Sequence, residues 1–276
     1  MSSRTTCLAA LGLALLAALA TTPSPAAPSG ALSPEALAPQ VAAAEQVGAA
    51  IYRHDRAASV ATDVLDEIAF RRDNRLAGWV TEEQGDSIVV TFIGGEGRNP
   101  SLALYRVAVS GDGKPGKPQE LKPGEPLSQD QIAQFAARTI ASKQKFELIC
   151  TPQFNSVVLA AGSGDKHTWV VYMLPGTTDP KVLPVGGAYR IETDSKGSRV
   201  LSRRAFSKSC LSMPVKPEAR SLVVTHLLDP HPTEIHVFLS LLVGKPIYVG
   251  TSENELLWAV NAGKIHFVSA MNDGKK

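Results

Sequence analysis

The spacing of apolar residues changes near Arg72, and that change bounds what the chain can become. Between Val41 and Arg72, apolar side chains at Val47, Ile51, Ala58, Val64, Leu65, Ile68 and Ala69 recur mostly at intervals of three, four or seven. That is the period of a helix with one buried face. Thr62 and Asp63 are placed to start a second helix inside this span. Beyond it the apolar residues come in short runs bounded by Gly, Pro and polar turns, the mark of strands. Gly78–Thr81 and Ser87–Ile93 flank a turn containing Gly85, and Leu102–Val109 is a further strand. Gly111–Gly124, dense in Gly and Pro, reads as a long connection.

Ser128, with Gln131 three residues later, predicts a capped helix running to about Ala141. Strands follow at Ser156–Ala161, Thr168–Leu174 and Ala188–Glu192. The order helix, hairpin, Tyr-Arg strand therefore occurs twice: Tyr105-Arg106 follows Trp79-Val80, and Tyr189-Arg190 follows Trp169-Val170. Duplication and shared sheet topology both account for it. In the last third, Ser221–Thr225 reads as a strand and Glu234–Val243 as a short apolar helix stopped by Gly244. Strands return at Pro246–Val249, Leu256–Val260 and Ile265–Val268. The expected class is α+β, mainly antiparallel sheet with few helices. Its N-terminal unit spans 41–125, its C-terminal unit 126–270, and 271–276 form a frayed tail.

The first residues carry an address. Arg4 precedes an unbroken Leu, Ala and Gly run from Leu8 to Ala20, and small residues then permit cleavage after Ala20 or Ala26. This is the pattern of a secretory signal over 1–26, and the run is too short to span a bilayer of roughly 30 Å. Residues 27–40, rich in Ala, Pro and Ser, read as a flexible lead-in. No later apolar run reaches membrane length, so no transmembrane segment is expected after signal removal. The expected location is periplasmic or extracellular. With 28 basic against 26 acidic residues the chain is nearly neutral, which argues against nucleic acid as a partner. Cys7 leaves with the signal, and Cys150 and Cys210 remain. Two cysteines in an exported chain suggest a disulfide, worth about 4 kcal/mol on the chain-entropy model. Buried thiols are the alternative, while a catalytic thiol finds no local His or motif.

The segment from 226 to 240 concentrates the chemistry. His226, His231 and His236, three of the six histidines, lie with Asp229, Glu234 and Ser240. Two His and a carboxylate make a plausible zinc or iron shell. Pro230 and Pro232 force an extended path through the segment, so its ligands diverge unless the fold gathers them. The competing reading has these histidines satisfying backbone groups at a strand–helix junction, with Thr233 as cap. No Gly-x-Ser-x-Gly occurs, and the Gly94–Gly97 loop lacks the Lys-Ser/Thr of a phosphate loop.

The stretch His231-Pro232-Thr233-Glu234-Ile235-His236 through Ser240 resembles the metal motif of the JAB/MPN metalloproteases, the JAMM deubiquitinases and their bacterial relatives. That motif reads His-x-His-Pro, several residues, Ser, two residues, Asp. The short helix, the strand near Pro246–Val249 and the hairpin at 257–265 are also similar, so the likeness covers about 128–268. Where the family carries its zinc-binding Asp, this chain has Val243, or Leu242 in the alternative register. Asp229 or Leu228 occupies a ligand His position. The resemblance implies a JAB-like fold without its activity. The expectation is an exported, non-catalytic module that binds a protein or peptide partner and needs no cofactor. The alternative is a metal-dependent hydrolase, a peptidase, holding zinc through an altered shell.

Overall fold

The computed structural model describes residues 32–66, 73–96, 100–162, 164, 167–176, 179 and 181–271. The expected signal at 1–26, the expected helical positions Ile68 and Ala69, and the expected tail at 272–276 lie outside the described residues. Helix α1 (Ala38–Asp66) starts three residues before the expected Val41 and passes through Thr62 and Asp63 without a break. Thr62 gives its hydroxyl back to the Ala58 carbonyl, 2.8 Å away, instead of capping a new helix. Leu37, only 1 % exposed, anchors the turn that leads in.

The two ends of α1 serve different cores. Ala44 and Ile51 pack with apolar residues of the C-terminal strands, whereas Ala57, Val60, Ala61 and Leu65 pack on Ile88, Val90 and Phe92. Strands β1 (Leu76–Gln84), β2 (Ser87–Gly94), β3 (Leu102–Val109) and β4 (Gln119–Pro126) form an antiparallel sheet in that order. β4 begins inside the stretch read as a long connection, Gly111–Gly124, and ends just beyond it. It is an edge strand with mostly exposed residues and prolines at 123 and 126. Edge strands tolerate proline because one side needs no donor, and this hid β4 from its composition.

Helix α2 (Gln129–Ser142) carries the expected capping box, Gln131 N–H donating to Ser128 Oγ at 3.1 Å and Ser128 N–H to Gln131 Oε1 at 3.0 Å. It packs on a second antiparallel sheet. Strands β5 (Phe154–Ala161), β6 (Thr168–Pro175), β7 (Val182–Pro184), β8 (Tyr189–Thr193), β9 (Val200–Ala205) and β10 (Ser212–Pro214) follow, with β5-β6-β8-β9 as the sheet and β7-β10 as a small ribbon. Tyr105-Arg106 and Tyr189-Arg190 each sit on the third strand of a four-stranded sheet. The Trp pairs do not correspond: Trp79 is on the first strand of one sheet and Trp169 on the second of the other.

Strand β11 (Leu222–His226) runs parallel to β12 (Ile247–Thr251), with α3 (Glu234–Val243) as the crossover, and β13 (Leu256–Asn261) and β14 (Lys264–Ala270) complete the sheet antiparallel. Gly48 of α1 meets α3 so closely that an added Cβ would lie 2.5 Å from Val237 Cβ and 2.6 Å from the Glu234 carbonyl. A helical glycine costs about 1 kcal/mol relative to alanine, and this close crossing offsets it. Cys150 and Cys210 form the expected disulfide, with Cα atoms 5.2 Å apart. The α+β class with mostly antiparallel sheets holds. From Leu32 onward the described residues cluster as one compact unit.

Candidate functional site

The loop from β11 to α3 gathers only part of the His-rich segment. His226, 4 % exposed, lies 2.7 Å through Nε2 from Asp229 Oδ2. A carboxylate only accepts, so His226 Nε2–H donates. Arg204 of β9 forms an ion pair with the same oxygen. Burial pushes the Asp229 carboxyl up, but the His226 hydrogen bond and the Arg204 charge overcome it and hold it below its ordinary value. The His226 and His236 rings meet edge to face with centroids 4.8 Å apart.

The remaining candidates are committed elsewhere. His236 Nδ1 accepts the Thr233 backbone N–H at 3.0 Å, completing a capping box at the start of α3. Burial, then the neighbouring His226, pulls the His236 pKa down to about 3, so the ring is neutral. His231 Nδ1 donates to the Pro232 carbonyl at 2.8 Å. Glu234 accepts the Tyr172 hydroxyl of β6 at 3.2 Å. Ser240 offers its hydroxyl to the Lys245 and Val260 carbonyls, at 2.9 and 3.0 Å. Thus His226, Asp229 and His236 come together, and His231 and Glu234 join other partners. Among the described residues no group of three or more His, Cys, Asp and Glu is arranged to hold a metal.

Nothing in the sequence pointed to two spaces beside α1. One is a cleft of about 690 Å³ holding Arg53, His54, Thr81, Glu83, Gln131 and Gln134. His54 Nε2 lies 3.7 Å from Glu83 Oε1, and its Nδ1 is hydrogen-bonded to the Thr81 hydroxyl at 2.8 Å. Gln134 binds both backbone groups of Thr81, accepting its N–H at 2.8 Å and donating to its carbonyl at 3.0 Å. Burial takes the His54 pKa down to about 4 against the pull of Glu83. Thr81 is 4 % exposed, and these bonds fasten β1 to both α1 and α2.

The other is a cavity of about 630 Å³ bounded by α1, β1, the ends of β5 and β6, β7 and α3. Leu174, Leu183, Ile235, Phe238 and Leu239 make its walls apolar. Val243, one helical turn beyond Ser240, also faces this space. Asp55 projects into it from α1, half-buried and without a hydrogen bond among the described residues. Burial raises its pKa from 3.8 to about 6, with Arg56 opposing. One local signal existed for this residue: Asp55 stands four residues after Ile51 and three before Ala58, on the apolar stripe of α1.

Arg138 of α2 lies close by. Its guanidinium stacks over the Trp79 ring, 4.3 Å from the centroid, and donates to the Trp79 and Ser156 carbonyls, leaving its Nε unpaired. It fastens α2 to β1 and β5 and is not among the residues lining the cavity.

No family model matches the chain, and no curated protein or solved structure matches it either.

Proposed function

We propose that this chain is an exported, non-catalytic binding module on a degenerate JAB-like scaffold, and that its ligand occupies the cavity between α1 and α3. The observation that carries this reading is the cavity itself. Its walls are mostly apolar, it retains a half-buried carboxylate with no hydrogen bond among the described residues, and its volume of about 630 Å³ falls within the few-hundred-to-thousand Å³ range of ligand sites. A space of that size takes a small molecule or a few residues of a peptide. The His-rich loop supports the same reading from the other direction, because its side chains are already hydrogen-bonded to one another and to backbone.

The scaffold reading is supported by the order strand, His-bearing loop, helix, parallel strand, hairpin across β11 to β14. Export is supported by the N-terminal run and by the disulfide, since such bonds persist in oxidising compartments. Among the described residues no helix is long and apolar enough to cross a membrane.

The test is metal analysis of the purified protein joined to calorimetric titration with 1-octanol, a neutral apolar probe. The expected result is no stoichiometric zinc and saturable octanol binding that the cavity-filling variant Ala58→Trp abolishes. One equivalent of tightly held zinc, with peptide hydrolysis lost on chelation, would replace this reading with that of a metal-dependent hydrolase.

A further inference from the structure

We infer that the cavity between α1 and α3 selects an apolar ligand bearing one ammonium group, with Asp55 as the counter-ion. This rests on the reading of the cavity as a binding site and adds the charge of what it binds. Among the described residues lining the cavity the ionisable ones are Asp55 and Asp63, and no Lys, Arg or His is among them. The rest of the lining is mostly aliphatic and aromatic, with a few hydroxyl and amide groups on α1 and β5.

An ionised carboxylate beside apolar walls is poorly solvated, and a cation placed against it recovers much of that loss. A neutral donor would leave the charge uncompensated, and an anion would face two carboxylates. The charged groups around Asp55 do not fill the role internally. On α1, Arg56 is exposed and acts on Asp55 only through its field, and Asp63 carries the same sign. The cavity-lining residues of α3, β6 and β7 are uncharged. Arg138, next to β1 and β5, gives its N–H groups to backbone carbonyls. The apolar body of the ligand would lie along Phe238, Leu239 and Leu183, where it removes further surface from water.

Calorimetric titration at pH 8 with n-octylammonium, 1-octanol and octanoate tests this. The chain length is constant and only the head group changes. The expected order is octylammonium tightest, octanol at least about tenfold weaker, and octanoate weakest. Asp55→Asn should bring octylammonium to the affinity of octanol while leaving octanol unchanged. At pH 5, where Asp55 carries a proton and the alkylammonium keeps its charge, the wild-type preference should collapse in the same way. Ala58→Trp should abolish binding of both probes. If octanol binds as tightly as octylammonium, or Asp55→Asn leaves the preference intact, the charge assignment is wrong and the binding site stands. If none of the three probes binds, the binding site falls with it.

Discussion

The loop from β11 to α3 and the cavity beside α1 share α3, yet they treat polar groups in opposite ways. The loop holds His226, Asp229, His231 and His236, and each has a partner within the protein. The cavity holds one half-buried carboxylate, Asp55, with no hydrogen bond among the described residues. On the function proposed above, the dense group of titratable residues is not by itself the site, and the polar group that the fold desolvates and leaves unmatched marks it.

The largest expected effect is on the loop. Asp229→Ala leaves the buried His226 without its acceptor and Arg204 without its counter-ion, and should cost about 3 kcal/mol of stability near neutral pH. The Asp229 carboxyl sits below its ordinary value. Its contribution is therefore full above the unfolded pKa of about 3.9 and is lost as pH falls through the lower folded value. Denaturant melts of wild type and variant should converge in strong acid. A gap that persists there would show that packing, not charge, holds the loop.

Asp55→Asn should act with the opposite sign. The folded-state pKa, about 6, lies above the unfolded one, so the native state loses stability as pH rises between the two. The substitution should stabilise the protein by about 2 kcal/mol at pH 8 and make no difference below about pH 4. Destabilisation at pH 8 would reveal an internal partner for Asp55 and erase the contrast between the two regions.

Two smaller effects sharpen the contrast. His231→Ala should cost less than about 1 kcal/mol, because it removes one hydrogen bond to the adjacent Pro232 carbonyl at a half-buried position. Addition of a chelator should leave the thermal midpoint of the wild type where it was. A fall of several degrees, absent in the His231 variant, would make this loop a metal site after all.

Local features were legible in the sequence and convergent ones were not. Ser128 and Gln131 announce α2 because a capping box needs only residues three apart. Gly244 ends α3 in a left-handed conformation for a similarly local reason. The disulfide followed from there being two cysteines after the expected signal. By contrast, Glu234 finds Tyr172, 62 residues away, and Arg204 reaches Asp229 from a different sheet. No spacing rule encodes those meetings, and they decide that the candidate ligands part company. Asp55 stood in plain view on an apolar stripe, but only the packing of α3 and β7 around it gives the position meaning.

Helix α1 also imposes an order of events on synthesis. Glu45 accepts hydrogen bonds from Ile265 N–H and Lys264, 220 and 219 residues downstream, and Ile51 waits for the same C-terminal strands. The helix leaves the ribosome long before the strands that cover its N-terminal half. Contacts of such long sequence separation form slowly, and an uncovered apolar face invites aggregation in the interval. A nascent chain of this protein therefore has reason to be held by a chaperone until its final hairpin is complete.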